Sequence, residues 1–449
     1  MSSPAELKDA VAVIPGRLYW LSVPRGRSVG NQASVFVFST DRELVYENFN
    51  QDFGPLNLGL TYRYCKMLSS HMDAVSKSCK IIHCCSSSPA DRANTAVLMA
   101  LYMVIRHGKT PEEAWAPFAN VQPGFAPYRD AVSGRCSYKM TAMDCLQGMA
   151  FAMQLGWFRY DAFNLDEYEK YGAIDGGDAN WIVPGKFLAF TGPFPSSRDD
   201  DGCPAFTPQD YVPIFQKLGV GLVMRLNRKQ YDRKKFIDAG IRHVDLYFPD
   251  GSCPPREIIN TFLQVVEQET TAVAVHCKAG LGRTGTLIGL WCMKWHRFPA
   301  RGFIAWNRMC RPGSILGPQQ QFLNDMEQEM FRLGEEEQSR GGRQGGGSPQ
   351  AGDGKDLVKL HKYYAKEDVG QAERLNAAKR GRNRVGSGQP ASPASRASSR
   401  SGADELRANG AGLPSLARGR AIAGVTGALP SLVSERAMAS KGTRPRVGW

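Results

Sequence analysis

The hydrophobic pattern of this chain changes period twice in the same way. Thr271-Ala272-Val273-Ala274-Val275 is a short β-branched run of the kind that forms a buried strand, and residues 286–293 have the apolar density of a core helix. Between them lies a loop with two glycines that begins at a His-Cys pair and ends at Arg283. An earlier stretch repeats the plan: an apolar run enters His83-Cys84, and a loop leads to Arg92, which opens another apolar helical pattern. Trp115 follows Arg92 by 23 residues, and Trp306 follows Arg283 by 23. A matched offset after a matched motif marks an internal repeat. The pattern predicts an α/β chain of two similar tandem domains, residues 1–155 and 179–337, each a central sheet flanked by helices. Residues 156–178 carry Asp161, Asp166, Glu167, Glu169, Asp175 and Asp178, which predicts an acidic helical linker or, more plainly, a solvated charged face. From residue 338 the periodicity stops. Runs such as Gly341-Gly342-Arg343-Gln344-Gly345-Gly346-Gly347 cannot bury enough apolar surface to offset their ordering entropy, so 338–449 is predicted to be a disordered basic tail. A short marginal helix is expected within it near residues 357–376.

Composition refines this picture. The 449 residues are 42% apolar and 10% aromatic, enough for sizeable cores. The net charge of +13 is uneven: 20 Lys and Arg against 8 Asp and Glu lie from Gln338 onward, leaving 36 against 35 before it. The excess belongs to the tail and does not argue for a nucleic-acid-binding fold. Within the tail, Arg380–Arg384 reads as a nuclear-import or nucleic-acid patch or as ordinary basic disorder. Ser348-Pro349 and Ser392-Pro393 are minimal proline-directed phosphorylation sites. The 11 cysteines are odd in number, scattered and without a CxxC, which argues against a disulfide framework or a zinc site and for a reducing compartment. No basic, apolar leader opens the chain and no run approaches the ~20 apolar residues of a membrane span. The expectation is a soluble, intracellular protein. No metal, cofactor, membrane or nucleic-acid partner is expected, and oligomeric state is left open.

The candidate chemistry sits in His276-Cys277-Lys278-Ala279-Gly280-Leu281-Gly282-Arg283-Thr284-Gly285. A strand, a tight loop and a helix N-terminus gather several backbone N–H groups around one point, which makes an anion site. A thiol there, beside a guanidinium, ionises readily, so Cys277 is the candidate nucleophile. Arg283, six residues on, offers a planar fork to two phosphoryl oxygens. Thr284 is positioned to hydrogen-bond the departing sulfur, and His276 to order the loop rather than act as a base. A buried core thiol is the bland reading of Cys277; the whole ten-residue string on a strand–loop–helix pattern argues against it.

A phosphoester needs its leaving oxygen protonated, and a carboxylic acid on a facing loop would supply the proton. Asp250, 27 residues before Cys277 in Tyr247-Phe248-Pro249-Asp250-Gly251-Ser252, is preferred. Asp245 is the competitor, but its apolar surroundings suit a strand. Further on, Arg311-Pro312-Gly313-Ser314-Ile315-Leu316-Gly317-Pro318-Gln319-Gln320 forms a third loop, in which either Gln319 or Gln320 is placed to orient a hydrolytic water.

The ten-residue string resembles the His-Cys-x5-Arg-Ser/Thr signature of the protein-tyrosine-phosphatase superfamily. Asn180–Phe190, Phe248–Ser252, Arg311–Ser314 and, in the first domain, Lys109–Ala114 and Asp144–Gly148 narrow it further. Together they resemble the cell-division-cycle 14 dual-specificity phosphatases from about Tyr19 to Met330. The resemblance implies two tandem dual-specificity-phosphatase-like domains, only the second catalytic, with Lys278, Ala279, Gly280, Leu281 and Gly282 as the phosphate-binding loop. The residues agree independently: seven lie between Cys84 and Arg92, and six after Cys85, where a closed cradle requires five. The resemblance further implies phosphoserine or phosphothreonine followed by proline as substrate, with phosphotyrosine cleaved in vitro. Such sites are made by cyclin-dependent kinases, which puts the activity in cell-cycle control. Basic residues downstream of the phosphosite would be drawn by linker acids, here Glu169 and Asp178, while Gly172 stands where relatives carry another acid. A phosphoinositide phosphatase of the phosphatase-and-tensin-homologue type would have a second lysine where Leu281 stands. An RNA triphosphatase would find RNA repelled by the linker, and a non-catalytic phosphoprotein scaffold is disfavoured by intact Cys277, Arg283 and Asp250.

Overall fold

In the first domain the chain forms β1 (Val11–Ile14), β2 (Leu18–Val23), β3 (Val35–Phe38), α1 (Leu58–Ala74), β4 (Lys80–Ser86), α2 (Pro89–His107), α3 (Pro111–Trp115) and α4 (Ala142–Gln154). A linker helix, α5 (Leu165–Gly172), leads to the second domain. That domain comprises β5 (Ala179–Val183), β6 (Phe187–Phe190), α6 (Pro208–Lys217), β7 (Val220–Arg225), α7 (Lys234–Ile237), β8 (Arg242–Asp245), α8 (Arg256–Gln268), β9 (Ala272–His276), α9 (Gly282–His296), α10 (Ala300–Cys310) and α11 (Pro318–Gly341). A last helix, α12, spans Gln371–Gly386. This computed structural model describes residues 9–24, 29–32, 34–199, 202–341 and 370–386. All of these fall in one compact unit, Met1–Ala391; the second, Ser392–Trp449, lies outside the described residues, as do both tail Ser-Pro sites.

The repeat read from the sequence is a repeat of topology. The first sheet has the order β1-β2-β4-β3 and the second β5-β6-β9-β7-β8. Without β8 the second order is the first again, with one antiparallel pair at the edge and parallel pairing across the rest. All five residues of the central strand β9 are buried. Covered by helices on both faces, such a strand must be apolar throughout, which is why Ala-Val-Ala-Val shows no alternation. Side-chain caps start the helices that follow: Ser88 accepts from the Asp91 N–H at α2, and Thr141 and Asp144 form a reciprocal capping box at α4.

The two domains share one apolar core, which runs through α2, α4, α9 and α10. At the junction the backbones of Gly148 and Gly302 meet, close enough that a Cβ on Gly148 would lie 2.3 Å from the Gly302 oxygen. Beside them the Arg301 fork holds both Asp144 oxygens at 2.8 and 2.7 Å. Trp306, the repeat's marker residue, donates to the Ile182 carbonyl at 3.0 Å.

Helix α11 continues to Gly341, past the boundary expected at 337. Helix α12 begins at Gln371, inside the stretch expected to be helical near 357–376, of which residues 357–369 lie outside the described residues. Arg380, expected in a solvated basic patch, lies on α12 and pairs with Asp199.

Candidate active site

The strands β6, β7 and β9 are parallel, and Phe190 and Arg225 both pair in register with His276. The chain therefore leaves all three strands at one edge, where open α/β sheets gather their ligand sites. β9 ends at His276, and residues 277–281 form the loop before α9 begins at Gly282.

Every carbonyl of that loop is held from outside. Cys277 O accepts from His276 Nδ1 at 2.8 Å and Lys278 O from the Gly192 N–H at 3.1 Å. Ala279 O accepts from Thr191 Oγ1 and Arg311 Nη2, both at 3.1 Å, and Gly280 O from Arg311 Nε at 2.8 Å. Leu281 O accepts from the Gly285 N–H at 3.1 Å. In a trans peptide the N–H points opposite the C=O, so outward carbonyls turn the loop's amides inward, toward a common centre. Gly280 makes this possible: its φ is +65°, and a Cβ there would lie 1.9 Å from Phe190 O. The second ring nitrogen of His276 meets Tyr231 Oη at 2.7 Å, and Tyr231 meets His243 Nε2 at 2.8 Å. Burial pushes both imidazoles down to about 3, so they are neutral and structural.

Arg283 is buried in the first turn of α9. Its Nη1 donates to Phe248 O at 2.9 Å, and its Nη2 lies 3.2 Å from Asp250 Oδ1. The candidate acid is thus brought to the candidate phosphate-binding arginine. Asp245 ends β8 in a different environment, 2.6 Å from the buried Arg225 Nε. The Thr284 hydroxyl is buried and makes no hydrogen bond among the described residues.

The hydrogen bonds of the two adjacent glutamines separate them. Gln320 is spent on structure: Oε1 accepts from Arg308 at 2.7 Å, while Nε2 donates to Asp130 at 2.7 Å and Gly317 O at 3.1 Å. Gln319 borders the site: Nε2 donates to Ser252 O in the acid loop at 3.1 Å, and Oε1, which accepts from the Leu316 N–H at 3.2 Å, lies 2.8 Å from where a Cβ on Gly282 would stand.

The linker acids are already engaged. Glu169 is held by the fork of Arg63 on α1, at 2.7 to 2.9 Å. Asp178 is buried; one oxygen takes Arg311 Nη1 at 2.8 Å and the other Lys379 Nζ at 2.5 Å. Burial pushes this carboxyl up, but the Arg311 and Lys379 charges outweigh it and hold the carboxyl below its usual range.

In the first domain the corresponding cradle is filled from within. β4 continues through Cys84 and Cys85 to Ser86, so neither thiol stands at the strand's end. Burial pushes them up to about 11 and about 12, leaving protonated, unreactive thiols. The Ser86 N–H is taken by Asp41 at 2.7 Å, and Arg92 turns away to Pro123 O at 2.6 Å.

Two roles were not read from the sequence, in which Arg311 stood only as part of a loop motif and Asp130 was not named. Arg311 buttresses the loop from below, and Asp130 reaches from the first domain to the Gly317 N–H (2.8 Å) and to Gln320. The sequence signal for Arg311 was an arginine wedged between an apolar helix and a Pro-Gly break; Asp130 carried none. Among the described residues no His, Cys, Asp or Glu cluster could hold a metal ion, and no helix is long and apolar enough to cross a membrane.

A family model described as "Dual specificity protein phosphatase, N-terminal half" matches residues 12–152, and one described as "Polymorphic toxin system, DSP-PTPase phosphatase" matches 205–296. The chain is 48% identical over 333 residues to human "Dual specificity protein phosphatase CDC14A", covering 74% of this chain and 56% of that one. It is 49% identical over 287 residues to mouse "Dual specificity protein phosphatase CDC14B" (64% and 59%). With "Tyrosine-protein phosphatase cdc-14" of Caenorhabditis elegans it shares 38% over 323 residues (69% and 45%). The chain spans less than two thirds of the length of these relatives. Among solved structures, Tk-PTP in its active form matches 34% of this chain and 96% of its own at 21% identity, with a TM-score of 0.28.

Proposed function

The chain belongs, over most of its length, to the CDC14 dual-specificity phosphatases, and we propose that it hydrolyses phosphoserine- and phosphothreonine-proline sites in proteins through a phosphocysteine. The observation that carries this reading is the meeting of three separate segments at one loop, with Asp250 3.2 Å from Arg283 above a cradle of inward amides.

The Cys277 thiolate attacks phosphorus while the loop amides and the Arg283 fork bind the equatorial oxygens; the S–P bond forms and the P–O ester bond breaks. Asp250 gives its proton to the leaving oxygen. A water held by Gln319 then attacks the phosphocysteine, its proton returns to Asp250, and the sulfur leaves as a thiolate that accepts a hydrogen bond from Thr284. Recognition of a downstream lysine or arginine falls to Asp178, which already accepts an ammonium at 2.5 Å. Glu169, neutralised by Arg63, contributes less. Reversal of proline-directed phosphorylation in cell-cycle control is the role this specificity fits.

The test is phosphate release from a phosphoserine-proline peptide with a downstream lysine. Binding without release would make the protein a phosphopeptide-binding scaffold. Asp250→Asn is expected to slow this substrate by roughly 10²–10⁴-fold, and p-nitrophenyl phosphate, with its better leaving group, much less. Asp245→Asn should chiefly destabilise the fold by about 3 kcal/mol, since it strands the buried Arg225. A larger catalytic loss in the Asp245 variant would reverse the assignment.

Asp130→Ala tests the first domain's part in the second step. Losing the anchor of the glutamine loop by even ~1 Å costs on the order of 10²-fold in a positioned reaction. The expected signature is a rapid burst of p-nitrophenol followed by slow turnover. A uniform slowing without a burst would remove Asp130 from this role.

A further inference from the structure

Helix α12 lies across the loop that the mechanism uses. Its first-turn amide, Ala372 N–H, donates to Asp250 Oδ2 at 2.9 Å. Glu373 pairs with Lys278 of the phosphate-binding loop. One helical face, at positions i, i+3 and i+7, presents Ala372, Leu375 and Lys379, all buried. The first two pack on Ala131, Ala279, Leu281 and Leu316. Lys379 reaches Asp178 at 2.5 Å and Ala279 O at 3.1 Å, and Arg380 takes Asp199. From Gln371 to Gly386 the sequence carries five basic residues and one acid, and two of the basic ones, Lys379 and Arg380, meet carboxylates beneath.

We infer that α12 is an internal occupant of the substrate groove, competing in cis with basic phosphoprotein substrates. Two features of a substrate are reproduced, an anion at Lys278 and a cation at Asp178, while the Ala372 N–H occupies the carboxylate that would protonate a leaving oxygen. The reacting group is missing, because α12 contains no Ser, Thr or Tyr that could carry a phosphate. It is therefore an occupant that cannot be turned over. A free helix of this length is marginal in water, and Gly381 weakens it further, so docking and folding of α12 are one step. Release by substrate is correspondingly all-or-none for the segment.

What the occupant blocks rests on the phosphatase reading; that it docks does not. The experiment compares the full chain with Leu375→Glu and Lys379→Glu, using a phosphoserine-proline peptide with a downstream lysine. A fluorescein-labelled peptide of residues 370–386 is the binding probe. If the groove is occupied nine-tenths of the time, both variants should show a KM about tenfold below wild type with kcat little changed. The labelled peptide should bind both variants and be displaced by the phosphopeptide. Equal KM in all three chains, with no peptide bound, would overturn the inference. So would a wild-type KM that falls on dilution, which would make α12 the occupant of a second copy. Absence of turnover in every chain, with displacement intact, would defeat the phosphatase reading and leave the docking standing.

Discussion

Cys277→Ser should lower turnover of a phosphoserine-proline peptide by roughly 10⁴–10⁶-fold, the scale of nucleophile removal in enzymes whose catalytic groups act as a unit, while substrate still binds. The change is one atom, and no hydrogen bond that shapes the loop uses the sulfur. Its carbonyls are held by His276, Gly192, Thr191, Arg311 and Gly285. A serine hydroxyl keeps its proton at neutral pH and would need a base. None is at hand, since His276 is committed on one side to Cys277 O and on the other to Tyr231. Nor can the first domain substitute, because Cys84 and Cys85 are held protonated by burial. Kinetics together with acid-quenched labelling checks both halves: radiolabelled phosphate should be trapped on wild type, and none on the variant, whose peptide affinity should match wild type. Substantial residual turnover would mean that the nucleophile lies elsewhere.

How much of this was legible in the sequence follows from the range of the interactions. The strand–loop–helix around Cys277 is local, so its period change and glycines disclose it, and its imperfect copy at Cys84 discloses the tandem fold. The loop that carries Asp250 to Arg283 was legible as well, because a turn-forming Asp-Gly before a helix is a local signal. The residues that escaped act over long separations: Arg311 meets Asp178 across 133 positions and Asp130 meets Gln320 across 190. Nothing in an isolated Asp predicts which loop it will brace. The adjacent glutamines could not be told apart because Arg308, which claims Gln320, lies on another element. For α12 the reason is energetic: a polar stretch that is marginal alone becomes helical through Asp178, Lys278 and Asp250, and composition does not reveal that the groove waits for it. The linker acids show the converse. Charge runs point to a basic ligand, yet Glu169 is neutralised by Arg63, a partner 106 positions away.

Replacing Arg283 by lysine should cost roughly 10³–10⁵-fold in kcat, the range of a transition-state arginine in phosphoryl transfer. A lysine retains the charge but has no planar fork, so it cannot grip two oxygens at once. A second loss is specific to this fold. Arg283 Nη1 holds Phe248 O at 2.9 Å, two residues before the acid, and Nη2 stands 3.2 Å from Asp250 itself. An ammonium on a flexible stem reproduces neither contact, so the acid loop loses its anchor together with the phosphate. The two losses separate by leaving group. With p-nitrophenyl phosphate, which needs little protonation, only the missing fork is felt. With a phosphoserine peptide the displaced acid adds to it, so the Arg283→Lys deficit should be larger by about tenfold or more, within the scale of general-acid catalysis. Combining Arg283→Lys with Asp250→Asn should then cost less on the peptide than the product of the single losses, because both act on the same proton. Equal deficits on the two substrates, with fully multiplicative losses, would confine Arg283 to holding phosphate and leave the acid loop to be positioned by Gln319 through Ser252.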